Sequence, residues 1–406
     1  MRIALAHDSF TQMGGAERVI EALHEMFPDA PVFTLVLDPK FKDKYAGWDI
    51  KTSPLQTIYL ALGKLQYFLP LIPWAVDQLD LAGYDVVVSS SSSFIKNIRL
   101  AKNCIHINYC HTPTRFLWSE PDYVKQEVSL IIRPIIRWLL ARMKKWDYLG
   151  AQRVSHFIAN SQEVQKRIQT YYHRTSTVIH PCVDTEFWKP AYSVIPEALS
   201  ASERLSGIQS LPGSGSRLST FAEASADRSA ALGRDDILHK KDYFLLAGRL
   251  QPHKKNQLIV EIFNQLGLPL HVAGTGREAK YLRSIAKSNI SFLGRISDEQ
   301  LRDEYSGALG FIYPQTEDFG LMPLEAAACG TATIAYAQGG ALETIVPGVT
   351  GELFETYDKE KIKEMILNWK PEKYQKSSLI YQAQNFAKEK FKENIRNFIQ
   401  THENRN

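Results

Sequence analysis

The chain has 406 residues, of which 44% are hydrophobic and 23% charged, and its formal net charge is +4. This length exceeds the usual size of a domain with a single hydrophobic core, so two domains are expected. So small a net charge, with no long Lys/Arg block, argues against a nucleic-acid partner. The cysteines show no CxxC or zinc spacing, so we expect them to be buried, reduced thiols of a cytosolic protein. They are Cys104, Cys110, Cys182 and Cys329.

The apolar stretches of the chain are too short to span a membrane. No run of about 18 uncharged apolar residues occurs. Met1 and Arg2 lead directly into the short run IALAHD, so no signal peptide is predicted. We therefore expect a cytoplasmic protein, and peripheral contact with the inner face of the cell membrane stays open.

Short apolar runs alternate with helical patterns along the first half of the chain, which predicts a doubly wound parallel sheet. The first strand leads to Gly14 and Gly15, whose backbone amides would face a ligand at a helix start. A simple tight turn explains two glycines equally well. The serine run at 89–93 also follows a strand. Its composition favours a flexible loop, whereas its place at a strand end favours a ligand site. The predicted strands are 2–7, 31–37, 85–89, 104–109 and 157–161.

Residues 109–118 read YCHTPTRFLW and follow a predicted strand directly. This position puts His111 at the same rim of the sheet as Gly14. A lone histidine is more often structural than catalytic, but the rim position, with Arg115 and Trp118 close by, favours a site.

The strand pattern restarts in the second half, at 243–247, 270–273, 290–293, 311–313 and 333–335. Most of these strands run into a glycine-containing turn, so their loops gather on one rim. Arg249 and Lys254 lie five residues apart in the first of these loops. Both could reach one anionic ligand, the arginine as a fork and the lysine as a point charge. Surface cations near a turn are common, so the residues alone do not distinguish an anion site from two ordinary surface cations.

Residues 313–330 read YPQTEDFGLMPLEAAACG, the pattern of a strand end, a turn and a helix over 321–329. Glu317 is predicted just ahead of this helix and Glu325 about one turn inside it. Acids near a helix start also complement the helix dipole, so the pair alone is a weak signal.

The turn itself predicts an anion site. The backbone amides of Phe319, Gly320 and Leu321 would be free at the start of the helix. Gly320 has no Cβ to keep an anion away from the backbone.

The 313–330 string resembles the E-x7-E motif of retaining nucleotide-sugar glycosyltransferases, namely glycosyltransferase family 4. The HTPTRFLW string resembles mannosyltransferase-like members, and VIHPCVDTEFW at 178–188 resembles the element between the family's two domains. The resemblance implies an α/β protein of the GT-B fold, in which two Rossmann-like, doubly wound parallel-sheet domains face each other across a cleft.

The resemblance also assigns roles to residues. Glu317 and His111 would contact the donor sugar, and Glu325 the ribose hydroxyls. Arg249 and Lys254 would hold the diphosphate, although Lys255 stands where a glycine is often found, which leaves open which lysine acts. The expected catalytic residues are therefore His111, Glu317, Arg249 and Lys254. The expected donor-binding residues are Gly14, Gly15, Gly274, Gly276, Arg295, Phe319, Gly320, Leu321 and Glu325. No acidic DxD follows a strand, so no metal or other cofactor is expected.

The predicted organisation has four parts. They are an acceptor-side domain (1–180), a low-complexity, disordered insertion (191–241), a nucleotide-sugar domain (242–380) and a final helix (381–406) that packs back on the first domain. Two basic amphipathic stretches, 59–81 and 129–148, suit either an interfacial helix or a core-facing helix with a solvated cationic face.

The function expected from the resemblance is transfer of a hexose from a nucleotide sugar to a cell-envelope glycan or polyprenyl-linked acceptor. HTPTRFLW favours mannose from GDP-mannose. The alternatives are a UDP-sugar-dependent glucosyl- or galactosyltransferase and a catalytically inactive GT-B protein that binds nucleotide sugars.

Overall fold

The computed structural model describes residues 1–63, 65–119, 133–191 and 242–403, without the side chains of residues 66, 67 and 403. The insertion predicted at 191–241 therefore lies, apart from Ala191, outside the described residues. The first four residues of the basic stretch 129–148 lie outside them as well.

Among the described residues, the first sheet has seven parallel strands in the order β3-β2-β1-β4-β5-β6-β7. Apolar residues flanked by turns form these strands, and β4 and β5 are buried along their whole length, as strands of a parallel sheet covered on both faces are. The strands are β1 (Ile3–His7), β2 (Val32–Thr34), β3 (Ile50–Thr52), β4 (Val86–Ser91), β5 (Ile105–Cys110), β6 (His156–Ala159) and β7 (Ser176–Val178).

The second sheet has six parallel strands in the order β10-β9-β8-β11-β12-β13. Both strand orders place sequential strands on either side of a central pair, which is the doubly wound arrangement. The strands are β8 (Phe244–Ala247), β9 (Leu270–Ala273), β10 (Ile290–Gly294), β11 (Gly310–Tyr313), β12 (Thr333–Tyr336) and β13 (Gly351–Phe354). The predicted fold class is confirmed.

Helices cover the faces of both sheets. In the first sheet's part of the chain they are α1 (Gly15–Met26), α2 (Leu55–Leu62), α3 (Ile72–Asp77), α4 (Arg115–Trp118), α5 (Arg133–Arg153) and α6 (Gln162–Tyr172). In the second they are α7 (Asn256–Leu266), α8 (Ala279–Ile285), α9 (Asp298–Gly307), α10 (Met322–Ala328), α11 (Ala341–Thr344), α12 (Lys359–Leu367), α13 (Lys376–Gln384) and α14 (Lys388–Glu403). No helix of the described residues is long and apolar enough to cross a membrane.

The last helix, α14, belongs to the core of the first domain. Phe391 and Ile395 are buried in one cluster with Leu5, Ile20 and Val88. Two lysines of α14 also pair with a first-domain carboxylate: Lys388 and Lys392 lie 3.1 and 2.9 Å from Glu25.

The chain crosses between the domains twice at one place. The Val183 amide donates a hydrogen bond to the Phe386 carbonyl at 2.8 Å, so the outgoing and returning segments are joined. Trp188, just beyond the first crossing, is buried in the core of the second domain with Tyr305 and Phe311. The returning segment is broken between α13 and α14, at 385–387, where one continuous final helix was predicted.

Candidate active site

The candidate site lies where the carboxyl ends of the two sheets face each other. Gly15 opens α1 on the first domain, and a Cβ built on it would lie 3.4 Å from the Leu321 side chain of the second domain. Arg115 of α4 approaches Glu317 of the second domain at 3.9 Å. Loops at strand ends of both domains therefore meet across one cleft, as expected for this class of fold.

Glu317 lies ahead of α10, with a lysine beside its carboxylate. Lys254 is 4% exposed, and its ammonium group bonds directly to Glu317. The Glu317 backbone carbonyl accepts a hydrogen bond from the Gly340 amide at 3.0 Å, which fixes the turn against α11. The structure thus brings together two of the predicted catalytic residues.

The structure distinguishes the two neighbouring lysines. Lys255 is exposed, and its ammonium group lies 5.3 Å from the centre of the Tyr357 ring. Its backbone is left-handed, with φ +58°, a conformation that favours glycine. Lys254 is therefore the lysine whose charge faces the cleft.

Arg249 is not brought to the other predicted residues by any described contact. Its side chain is exposed in the loop after β8 and makes no hydrogen bond or ion pair to another described residue. Arg295 is likewise exposed, directly after β10. Both roles stay predictions.

Glu325 lies in the first turn of α10 and is 3% exposed. Its carboxylate accepts a hydrogen bond from Arg18 of α1, on the other side of the cleft. Burial raises the pKa of Glu325, and the guanidinium of Arg18 opposes that shift. The same guanidinium lies 3.6 Å from Asp298 and 5.6 Å from the centre of the Trp188 ring. Sequence reasoning missed Arg18, although it stands three residues after Gly15.

His111 follows β5 and is 9% exposed. Its Nε2 lies 2.8 Å from the Ser90 hydroxyl. Burial lowers the pKa of His111 to about 3, and His7 contributes in the same direction. The imidazole is therefore neutral near pH 7, suited to hydrogen bonding with a sugar hydroxyl and not to carrying charge.

The first three residues of the serine run lie in a strand, and not in the flexible loop that their composition favours; the alternative of a ligand site stays a prediction. Ser89, Ser90 and Ser91 are buried within β4. The next four amides, from Ser92 to Ile95, all donate to the carboxylate of Asp8 at 2.6 to 2.8 Å. Asp8 carries the charge that satisfies these amides, and local composition gave no sign of that partner.

The HTPTRFLW segment is anchored to α5 through a buried acid. Asp147 is fully buried and accepts hydrogen bonds from Thr114 at 2.9 Å and Trp118 at 2.8 Å. Lys96, 1% exposed, pairs with it at 2.5 Å. This network holds α4 in place and presents Arg115 to the cleft.

Two of the predicted glycines are needed for packing between loops. Gly274 has φ +132°, and a Cβ there would lie 1.9 Å from the Gly248 carbonyl. A Cβ on Gly276 would lie 2.1 Å from the Leu250 carbonyl. The two loops after β8 and β9 are therefore in direct backbone contact. Gly14 caps α1 in an extended conformation, and a Cβ there would meet Glu17 at 3.2 Å.

The turn before α10 combines a buried ring with open amides. Phe319 is buried and stacks on His180 at 5.2 Å between ring centres. Gly320 has φ +80° and would, with a Cβ, meet the Tyr313 hydroxyl at 2.6 Å. Within the described part of the chain, the Gly320 and Leu321 amides make no backbone hydrogen bond. The helix begins at Met322, one residue later than predicted.

Two family models match the chain. The model of Glycosyltransferase Family 4 matches residues 13–187, and that of Glycosyl transferases group 1 matches residues 231–386. The fold and the cleft described above define a GT-B protein. The chain belongs to glycosyltransferase family 4, as the sequence motifs predicted.

Curated relatives match over part of their length. A D-inositol 3-phosphate glycosyltransferase of Geodermatophilus obscurus is 34% identical over 152 residues, 32% of this chain and 34% of that protein. A GDP-mannose-dependent monoacylated alpha-(1-6)-phosphatidylinositol monomannoside mannosyltransferase of Corynebacterium glutamicum is 31% identical over 135 residues, 29% of this chain and 35% of that protein. The aligned part of the chain thus spans about a third of each relative.

Solved structures match over nearly the whole chain. HepE of Anabaena, crystallised with UDP-glucose, has a TM-score of 0.64 at 17% identity and covers 99% of this chain and 100% of that one. Sucrose-phosphate synthase of Thermosynechococcus elongatus has a TM-score of 0.66 at 16% identity, with 99% of both chains covered. At these identities the likeness concerns the fold.

Proposed function

We propose that the protein is a retaining glycosyltransferase that moves a hexose from a nucleotide sugar to an acceptor hydroxyl. The Glu317–Lys254 ion pair in the cleft, with Glu325 in the first turn of α10, supports this proposal most strongly. A carboxylate for the sugar and a cation for the phosphate stand side by side there. The bond that breaks in a nucleotide sugar is the one between the sugar and the phosphate.

Each residue has a role in the proposed reaction. The bond between the anomeric carbon and the phosphate oxygen breaks, the acceptor oxygen bonds to the same face of the sugar, and the hydroxyl proton passes to the departing phosphate. Lys254, Arg249 and the amides of Gly320 and Leu321 stabilise the charge that develops on the departing diphosphate. Glu317 and neutral His111 orient the sugar. In this proposal, residues 242–380 hold the donor and residues 1–180 the acceptor.

The proposed donor is GDP-mannose, from which mannose is transferred. The HTPTRFLW segment supports it, as do the two Corynebacterium glutamicum relatives whose names specify GDP-mannose. A UDP-sugar donor is the second candidate, because HepE was crystallised with UDP and with UDP-glucose.

A thermal-shift panel separates these donors. GDP, UDP, GDP-mannose and UDP-glucose are each tested with and without EDTA. Saturating ligand at about 100 times Kd stabilises a protein by about 2.7 kcal/mol, which is readily measured. Stabilisation by guanine nucleotides alone supports GDP-mannose, and stabilisation by uracil nucleotides alone overturns it. No shift with any nucleotide contradicts the proposed transferase.

The proposed acceptor is a cell-envelope glycan or a polyprenyl-linked glycan, reached at the membrane surface. Helix α5 packs its Met143 side inward and exposes Ile135 and Trp138, which are 66% and 63% exposed. Arg142 lies 5.8 Å from the Trp138 ring, so cations and apolar groups share this face. Such a face suits the headgroup region of an anionic bilayer.

Vesicle sedimentation tests the membrane contact. Wild-type protein should sediment with vesicles that contain phosphatidylglycerol and remain in solution with phosphatidylcholine alone. The double variant Ile135→Ser/Trp138→Ser should lose this binding without a change in thermal stability, since both side chains face solvent. Equal sedimentation of wild type and variant would contradict a contact through α5.

A further inference from the structure

Asp318, the residue after Glu317, forms two ion pairs between the two domains. It is 7% exposed and belongs to the second domain. One carboxylate oxygen lies 2.5 Å from Arg115 of α4, and the other lies 2.5 Å from Arg167 of α6. Two first-domain guanidinium groups thus hold a single, nearly buried acid.

The two arginines are themselves held in place. Arg167 pairs with Glu163 one turn earlier on α6, at 3.0 Å. Arg115 stands at the start of α4, whose end is anchored through Trp118 to the buried Asp147. Because Glu163 orients the Arg167 guanidinium and the helix that bears Arg115 is anchored, less side-chain entropy is lost when the two arginines pair with Asp318.

A second contact joins the domains at the same helix. The Glu343 carboxylate accepts hydrogen bonds from the Gln162 amide at 3.0 Å and from His180 at 2.8 Å. Helix α6 therefore contacts the second domain at its first residue and again one and a half turns later, at Arg167. The contact fixes both the position and the direction of α6.

The sequence neighbours of the ion-paired residues are the predicted catalytic ones. Arg115 lies four residues after His111, and Asp318 directly follows Glu317. Arg115 also reaches to 3.9 Å from the Glu317 carboxylate. The distance across the cleft between the segments that bear His111 and Glu317 is consequently set by the Arg115–Asp318 pair.

We propose that Asp318 is a positioning residue, which with Arg115 and Arg167 closes the two domains and sets His111 against Glu317 around the donor. This inference rests on the proposed transfer reaction. Asp318 contacts the arginines and not the reacting atoms. Its loss should therefore slow the chemical step while leaving the nucleotide site, which lies within the second domain, intact.

The test compares Asp318→Asn, Arg167→Gln and the double variant with wild type. Solution X-ray scattering should give a larger radius of gyration for every variant, because the domains separate. Turnover of the nucleotide sugar should fall by about 10²-fold, the cost of a displacement near 1 Å at a reacting centre. Calorimetry with GDP and UDP should give Kd values within about twofold of wild type.

The double variant and two controls sharpen the test. If the residues act as one pair, the double variant should be no slower than the worse single variant, since the interaction can be lost only once. Arg167→Lys should restore part of the turnover, because it keeps the charge. Glu360→Gln, at an exposed pair 2.7 Å from Lys363 on α12, should match wild type throughout.

Several results would overturn the proposal. Unchanged scattering and turnover would show that the pairs do not hold the domains. A nucleotide Kd weakened in proportion to turnover would make Asp318 a donor ligand. If Asp318→Asn fails to fold, Arg167→Gln, which alters a partly exposed side chain of α6, decides the question. Should the wild type turn over no nucleotide sugar, the proposed function fails, and the scattering comparison alone decides whether Asp318 closes the domains.

Discussion

Arg18 of the first domain donates a hydrogen bond to Glu325 of the second, across a separation of 307 residues in sequence. Glu325 is nearly fully buried, whereas the Arg18 side chain retains 32% exposure. Two carboxylates of one motif, Asp318 and Glu325, are thus paired with first-domain arginines. The motif that is proposed to bind the donor also forms the contact between the domains.

Replacing Arg18 by leucine should destabilise the protein more at pH 7 than at pH 5. The variant leaves the buried Glu325 carboxylate without its partner, at a cost of about 2 kcal/mol. The folded-state pKa of Glu325 is already raised by burial and should rise further without Arg18. An acid with a raised folded pKa favours folding at low pH and loses that stability as pH rises. Urea unfolding at both pH values tests this, and an equal loss at both would contradict it.

Lys254→Ala should lower turnover by about 10²-fold or more, because it removes a preorganised cation at the departing diphosphate. The matched control is Lys255→Ala, whose ammonium group lies by Tyr357 instead of in the cleft. Its turnover should stay within about twofold of wild type. Steady-state kinetics on the same nucleotide sugar compares them, and a reversed order would show that the adjacent lysine acts.

Lys255→Gly should raise stability by about 0.5 to 1 kcal/mol. Lys255 is held at φ +58°, where a side chain costs more than glycine does. The chain-entropy cost of glycine offsets part of this gain. Thermal unfolding measures the difference, and a lower melting temperature would mean that the lysine side chain contributes more than its backbone strain costs.

His111→Asn should reduce the acid sensitivity of the fold. The folded-state pKa of His111 is lowered to about 3, below the ordinary value of 6.5. The unfolded chain therefore binds a proton there first, and wild-type stability falls as pH drops from 6.5 toward 3. The variant has no such group, so its free energy of unfolding should fall less over that range. Denaturant titrations at several pH values give the free energy of unfolding as a function of pH. The same pH dependence in wild type and variant would contradict a buried neutral His111.

The fold could be predicted because its signals are local. Strands such as β4 and β11 read as short apolar runs, and each is followed by a turn and a helical pattern. Edge strands were harder to predict. Strand β3 is only three residues long, two of its residues are exposed, and its sequence has no apolar run.

The long-range pairs could not be predicted. Arg167 and Asp318 are 151 residues apart, and no local pattern joins an arginine on a helix face to an acid in a distant turn. The order of the turn that ends the serine run could not be predicted for the same reason, because the Asp8 carboxylate that binds the Ser92 amide is 84 residues earlier. Glu317 and Glu325 were found only because their spacing matched a known motif.

Nucleotide-sugar turnover by wild type and Glu317→Ala shows whether this cleft is a glycosyltransferase site. Release of nucleoside diphosphate is measured with GDP-mannose and with UDP-glucose, alongside calorimetric binding of GDP and UDP. Wild type should cleave one donor, with water as the acceptor, and Glu317→Ala should lose cleavage by about 10²-fold while still binding the nucleotide. A wild-type protein that binds neither nucleotide and cleaves neither donor would contradict the assignment of this cleft as a glycosyltransferase site.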